Sequence, residues 1–219
     1  MHNRTGFRTA LAATVWTLMA SAALGQTAQV DRIDSFTAVG ASEEVKQALD
    51  NKGYRVRLNR DDWTAEFWFV KDLKTAAKDS PGALYPELSN AQFVGVVNLP
   101  KGMSDFRGQA IPPGVYSLRY QYLPQDANHM GVSPNPDFLL AIPIASDPDP
   151  AAKYLYRKLV SLSAQTTGAH PAVIAMDTAG EPGKVTDEQK TIVLTVAVPA
   201  SESGKIEKLG IVVKGQATQ

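Results

Sequence analysis

The sequence contains no cysteine among its 219 residues. This absence excludes a disulfide framework, a thiol nucleophile and the acylated cysteine of a lipoprotein. Export of a chain without cysteine is compatible with a bacterial periplasm or exterior, and it is less typical of a small secreted eukaryotic domain. A chain of this length can bury a sizeable apolar core, so it needs no covalent cross-links to fold.

An excess of positive charge is also absent. The chain has 22 basic and 22 acidic residues, and two of the basic ones, Arg4 and Arg8, lie in its first 25 residues. The remainder therefore carries a formal charge of about −2, which gives no electrostatic basis for binding nucleic acid. The motifs of P-loop, dinucleotide-binding and GxSxG proteins are missing as well. We predict a protein that is not an enzyme.

The N-terminal segment has the pattern of a secretory signal peptide. Arg4 and Arg8 precede a short apolar run over residues 10–24, and Ala23-Leu24-Gly25 forms a small-x-small cleavage site. We predict cleavage after Gly25, which leaves one domain over residues 26–219 in the periplasm or outside the cell. The apolar run is shorter than the roughly 20 residues of a spanning helix. We therefore expect no integral membrane segment in the mature chain.

Residues 115–123 predict a strand with one buried face. Tyrosines and Leu118 alternate with Ser117, Arg119 and Gln121, and this two-residue period is typical of a strand that has its polar face in water. Residues 138–144 differ, because five apolar residues follow one another without interruption. That pattern favours a strand covered on both faces.

The rest of the chain predicts a mainly β fold with two short helices. Further strands are expected near residues 30–40, 54–59, 63–71, 93–99, 172–176, 191–198 and 205–213, the second and third of them forming a hairpin. One helix is expected over Ser42–Asp50, with Ser42 as its cap. The second is expected to start at Asp149-Pro150 and to bury Leu155, Leu159 and Leu162. We predict a single β-sandwich with immunoglobulin- or transthyretin-like layers.

A long polar loop over residues 124–137 separates the two central strands. Prolines, Gly131 and several Asp and Asn residues make this connection irregular, and long ordered loops of this kind often carry function. The predicted ligand-binding residues are Asp126, Asn128, His129, Met130 and Asp137. The expected ligand is a small molecule or a protein.

A metal site is the first alternative. His129 and His170 are the histidines of the mature chain, and with Met130 or Asp126 they could bind copper or zinc. Their spacing matches no HxH, HxxxH or HExxH motif, so the two side chains would have to converge through the fold. The competing interpretation is that both histidines have structural roles.

A calcium site would require scattered carboxylates to cluster at one end of the sandwich. The aspartates in question are Asp105, Asp126, Asp137, Asp147 and Asp149. The Asp147-Pro148-Asp149 series resembles a DxD motif, but its prolines and the adjacent predicted helix favour helix capping.

Carbohydrate binding is the second alternative. The aromatic residues that could stack on sugars are Trp63, Trp68, Tyr120, Tyr122, Tyr154 and Tyr156. Aromatic residues that alternate along strands more often fill a core. Trp68 shares a strand face with Glu66, so we expect it to be the most exposed of the set.

Several segments together carry a family resemblance. They are DFRGQAIPPGVYSLRYQYLPQDANHMG from Asp105, PDFLLAIP from Pro136 and HPAVIAM from His170. This combination resembles a family of uncharacterised secreted bacterial β-rich proteins, with an RG turn, a PGVY-type strand entry, an HMG loop, a DFLL strand and an HPAV segment. The resemblance covers residues 63–176. It implies export and a β-rich fold, and it implies no activity.

Overall fold

The computed structural model describes most of the chain after Thr27. The predicted signal peptide lies outside the described residues, as does most of the predicted binding loop. The described ranges are 28–58, 62–76, 80–123, 133–188, 191–198 and 207–214.

Strands dominate the described residues. They are β1 (Ala28–Ile33), β2 (Gly53–Leu58), β3 (Trp63–Phe69), β4 (Phe93–Leu99), β5 (Met103–Ser104), β6 (Ala110–Ile111), β7 (Gly114–Tyr122), β8 (Asp137–Pro143), β9 (Ala172–Asp177), β10 (Val185–Glu188), β11 (Thr191–Ala197) and β12 (Lys208–Lys214). The helices are α1 (Glu43–Ala48), α2 (Tyr156–Ala164) and a 3-10 turn (Ile144–Ser146). Neither α-helix of the described chain has the length and apolar character that crossing a membrane requires.

Ten of these strands form one antiparallel sheet, in the order β1-β2-β3-β4-β7-β8-β9-β12-β11-β10. The first strand of this order contacts the last, so the sheet is nearly closed into a barrel. The prediction of a mainly β fold with two short helices is confirmed. The strands that were expected to form two packed layers belong instead to one curved sheet. The sheet curves because the twist between neighbouring strands accumulates along it.

The inside of the sheet is filled by the alternating apolar positions of its strands. Tyr54 and Val56 of β2 pair with Phe67 and Ala65 of β3, and all four side chains lie in the main core. This register confirms the predicted hairpin. Burial of a large apolar side chain contributes roughly 1.5–3 kcal/mol, so this core supplies most of the stabilisation of the sheet.

Strand β8 lies between two cores. Leu139 and Ala141 face the main core, whereas Leu140 and Ile142 face an outer cluster that includes Leu159 of α2. The unbroken apolar run therefore has the two covered faces that the sequence predicts. Helix α2 packs on the outside of the sheet and forms part of this second layer.

The prediction that the polar face of β7 lies in water is wrong. Ser117, Arg119 and Gln121 were expected in water, but each is at most 2% exposed. The connection between β8 and β9 covers Ser117 and Arg119, because it crosses the outside of β7 before α2 begins. Alternation located the strand correctly, but it could not show that a later segment would cover its polar face.

Arg119 is held there by a complete set of partners. Its Nε and Nη2 donate to the two carboxylate oxygens of Asp147, at 2.7 Å each. Its Nη1 donates to Ala91 O at 2.8 Å and Ala152 O at 3.0 Å, and Nη2 also donates to Asp149 O at 2.7 Å. Every guanidinium donor is thus satisfied, which a buried charge requires.

The first helix matches its prediction closely. Ser42 caps α1, because its Oγ accepts a hydrogen bond from Val45 N at 3.1 Å, and Val45 is fully buried. Acidic residues occupy the first turn, where they interact favourably with the helix dipole.

The predicted start of α2 at Asp149-Pro150 is wrong, since the helix begins at Tyr156. The Asp149 carbonyl accepts from Ala152 N in a single turn and from Arg119, and the Ala152 carbonyl accepts from Arg119, so the chain turns here without continuing as a helix. Leu159 and Leu162 are buried as expected, but Leu155 is 82% exposed.

Candidate functional site

Five connections leave the sheet at the same end, which we call the loop rim. Neighbouring strands are antiparallel throughout, so β1, β3, β7, β9 and β11 all finish at this end. The last residues of these strands define it: Ile33, Phe69, Tyr122, Asp177 and Ala197. The predicted binding loop joins β7 to β8 and therefore starts and ends at the loop rim.

The structure describes the base of this loop. Four of the predicted ligand residues lie outside the described residues: Asp126, Asn128, His129 and Met130. At the base, Leu123 N donates to Pro136 O at 3.1 Å, which ties the two ends of the connection together. Asn135 Nδ2 donates to Met176 O of β9 at 3.0 Å. The loop thus departs from a fixed pair of ends.

Asp137, the remaining predicted ligand residue, is completely buried. Its carboxylate accepts hydrogen bonds from Leu84 N at 2.6 Å, Tyr85 N at 3.1 Å and the Tyr120 hydroxyl at 2.6 Å. Charge-assisted hydrogen bonds of this kind are among the strong ones in proteins. In this structure the Asp137 side chain anchors the β3–β4 connection to the start of β8.

Tyr85 extends the same network across the loop rim. Its hydroxyl donates to Asp177 O at 2.7 Å and accepts from Gly210 N at 2.7 Å, so it links β9 to β12. Burial raises the pKa of Tyr85 to about 12. Burial and the hydrogen bond to Asp137 also raise the pKa of Tyr120. Both phenols therefore stay protonated at neutral pH and can donate.

A cavity of about 330 Å³ opens beside this network. Its walls include Leu84, Tyr85, Thr178, Ala179, Glu207 and Lys208. The same Leu84 and Tyr85 amides bind Asp137, so the cavity and the base of the loop share a wall. The volume is near the lower end of the roughly 300–1,000 Å³ range of small-molecule sites.

His170 lies away from the loop rim. It precedes β9, and Ala172 pairs with Ala141 near the far end of β8, whereas Phe138 pairs with Ala175. At about 3.3 Å per residue, β9 separates His170 from the loop base by more than 10 Å. The His170 side chain is exposed.

The RG turn and the HPAV segment of the family resemblance meet at this far end. Asp105 is 1% exposed, and it accepts hydrogen bonds from the Arg107 side chain and the Gln109 amide. Arg107 Nη2 also donates to Pro171 O at 2.7 Å. The two segments therefore form one structural clamp.

The four described aspartates that could bind calcium are dispersed over the fold. Asp105 forms part of the clamp, and Asp137 lies at the loop rim. Asp147 pairs with Arg119, and Asp149 Oδ1 accepts a hydrogen bond from Ala151 N at 2.8 Å. Asp126 lies outside the described residues. Within the described part of the chain, no three His, Asp or Glu side chains form a group that could hold a metal ion.

The aromatic residues do not form one exposed platform in the described ranges. Trp68, expected to be the most exposed, is 7% exposed, and its Nε1 donates to Asp34 O at 2.8 Å. The residues after β1 cover it, which a strand pattern does not reveal. Trp63 is half-buried and donates to Gly102 O at 2.7 Å. Tyr156 is 45% exposed.

A second groove, on the outside of β2, β3 and β4, was missed by the sequence interpretation. Arg55, Glu66 and Asn98 line it, one from each strand. On β3, Glu66 lies opposite Arg55 of β2 on one side and opposite Asn98 of β4 on the other. The opposite charges of Arg55 and Glu66 at outward positions of the predicted hairpin indicate this cluster in the sequence. The segment after β1, which forms the other wall of the groove, could not be predicted.

Comparisons of the chain with protein-family models, with curated proteins and with solved structures find no match. The candidate sites are therefore defined by their geometry.

Proposed function

We propose that this protein is an exported, non-catalytic binding or accessory protein, and that its ligand contacts the 124–137 loop and the neighbouring loop rim. The observation that supports this proposal is the shared wall between the loop base and the 330 Å³ cavity. A ligand held by the loop would have a pre-formed surface beside it, which lowers the cost of binding.

The polar groups of the loop rim support a binding role rather than a catalytic one. Asp137 is fully engaged by three donors, and Tyr85 both donates and accepts within the fold. Side chains engaged in this way hold the wall of the site in place, which is the role that a binding surface needs. The residues expected to contact ligand are Asp126, Asn128, His129 and Met130, with Asp137 as their anchor.

The test is a thermal-shift screen of the purified protein. The probes are amino acids, nucleotides, organic acids, Cu²⁺ and Zn²⁺, and the comparison is a variant in which residues 125–131 are replaced by a Gly/Ser segment of equal length. A ligand present at about 100 times its Kd stabilises the folded state by roughly 2.7 kcal/mol. We expect at least one organic probe to raise the Tm of the wild type but not of the variant.

Single substitutions separate the organic ligand from the metal alternative. A site made by His129 and His170 requires that His129→Ala and His170→Ala abolish the same Cu²⁺ or Zn²⁺ response. The proposal instead predicts that His170→Ala leaves the organic response unchanged, because His170 lies at the far end of β9. Equal responses in the wild type and the loop-replaced variant would contradict the proposal.

A further inference from the structure

The groove on the outside of β2, β3 and β4 has a volume of about 570 Å³. Its floor consists of side chains from these three strands, and its other wall is the segment that follows β1. This segment is fixed in place, because Trp68 Nε1 donates to Asp34 O at 2.8 Å and the Phe36 and Trp68 rings lie 5.1 Å apart. The groove is therefore pre-formed.

Three polar side chains of the floor orient one another. Arg55 Nε donates to Glu66 Oε1 at 2.8 Å, and Asn98 Nδ2 donates to Glu66 Oε2 at 2.9 Å. Among the described residues, Arg55 Nη1 and Asn98 Oδ1 have no hydrogen-bonded side-chain partner. The cluster thus offers donors and an acceptor in fixed positions, next to a carboxylate side chain that is 16% exposed.

The charged pair on the groove floor is balanced. Glu66 compensates Arg55 at 2.7 Å, whereas Asp34 pairs with Lys52 at 2.7 Å and Arg32 lies over the Tyr54 ring. An anion placed against Arg55 would also meet the Glu66 carboxylate, and a cation placed against Glu66 would meet the guanidinium. Either ion would lose hydration without gaining an unopposed partner. The groove therefore favours a neutral ligand that both donates and accepts hydrogen bonds.

Apolar surface completes the lining. Ile33 and Ala38 are partly exposed beside the polar cluster, whereas Phe36 and Trp68 are 6% and 7% exposed and contribute only small areas. A pyranose ring has hydroxyl groups at its edges and C–H groups on its faces, so it matches a site with both kinds of surface. We infer that this groove binds a neutral saccharide. The groove reaches the loop rim at Ile33, but it shares no lining residue with the cavity beside the 124–137 loop, so either assignment can fail without the other.

The experiment is isothermal titration calorimetry of the purified protein with maltohexaose, cellohexaose and chitohexaose. We expect at least one of them to bind with a Kd below roughly 1 mM, and hexagalacturonate, which is anionic, to bind at least about tenfold more weakly. Arg55→Gln and Asn98→Ala should each weaken the binding about tenfold, which corresponds to roughly 1.4 kcal/mol.

The matched control is Arg57→Gln. Arg57 occupies the next outward position of β2 and forms an exposed pair with Asp31, but it does not line the groove. Its loss should change the Kd less than about twofold. The inference is overturned if none of the three neutral hexasaccharides binds at roughly 10 mM, if hexagalacturonate binds more tightly than they do, or if Arg57→Gln weakens binding as much as Asn98→Ala.

Discussion

At the scale of single residues, Arg119 and Asp147 show how an ordinary sequence pattern can hide a buried charge. The alternation of Tyr120 and Leu118 with Arg119 locates β7 and its inward face. It does not reveal the outer layer, because the covering segment begins more than twenty residues later and carries the compensating carboxylate. A local period in the sequence cannot indicate a partner that lies so far away along the chain.

Removing this cation should be costly. Arg119→Met leaves the Asp147 carboxylate buried without its partner, so we expect the free energy of unfolding to fall by about 3–5 kcal/mol. The exposed pair of Arg57 and Asp31 provides the control. Arg57→Gln should lower the free energy of unfolding by less than about 1 kcal/mol. Urea denaturation at neutral pH measures both, and equal losses would contradict the assigned role of Arg119.

Tyr85 predicts a dependence of stability on alkaline pH. Its pKa in the folded protein is about 12, above the ordinary value of 10.0, so the folded state retains a proton that the unfolded state loses. The stabilisation linked to this proton is complete below pH 10, and it is lost as the pH rises towards 12. Tyr85→Phe should therefore show a smaller fall in unfolding free energy between pH 9 and pH 11.5.

The same substitution removes the acceptor of Gly210 N, so it should also cost about 1–3 kcal/mol at neutral pH. Tyr120, whose pKa is raised as well, keeps part of the alkaline decline in the variant. An unchanged decline together with an unchanged stability at pH 7 would show that the Tyr85 hydroxyl does not hold β9 to β12.

At the scale of secondary-structure elements, the two helices illustrate what a capping pattern can predict. Ser42 followed by two glutamates gave the start of α1, because the cap and its target amide are three residues apart. Asp149-Pro150 resembles a helix start equally well. There the chain forms only one turn, from Ala152 N to Asp149 O, and the carbonyls of Asp149 and Ala152 also accept hydrogen bonds from Arg119.

The corrected boundary of α2 makes opposite predictions for two leucines. Leu159 is fully buried in the outer cluster, so Leu159→Ala should lower the free energy of unfolding by about 2–5 kcal/mol. Leu155 is 82% exposed, and Leu155→Ala should change it by less than about 0.5 kcal/mol. Chemical denaturation compares the pair directly, and a large loss at Leu155 would support the earlier helix start.

At the scale of the whole molecule, periodicity predicted the mainly β fold, the β2–β3 hairpin and the doubly covered β8. It did not predict that the first and last strands of the sheet would meet, because closure depends on accumulated twist and on contacts between distant strands. For the site, the sequence indicated the loop. The anchoring role of Asp137 and the cavity beside it follow from Leu84 and Tyr85, which belong to an irregular stretch without a readable pattern.

Hydrogen–deuterium exchange tests the central claim, that ligand binding takes place at the loop rim. The measurement compares the free protein with the protein bound to a compound, other than a saccharide, that raises its Tm. We predict slower exchange in peptides covering residues 80–88, 123–137 and 178–184, and unchanged exchange at the far end, in residues 105–109 and 165–171. Protection confined to the far end, with none at the loop rim, would contradict the account.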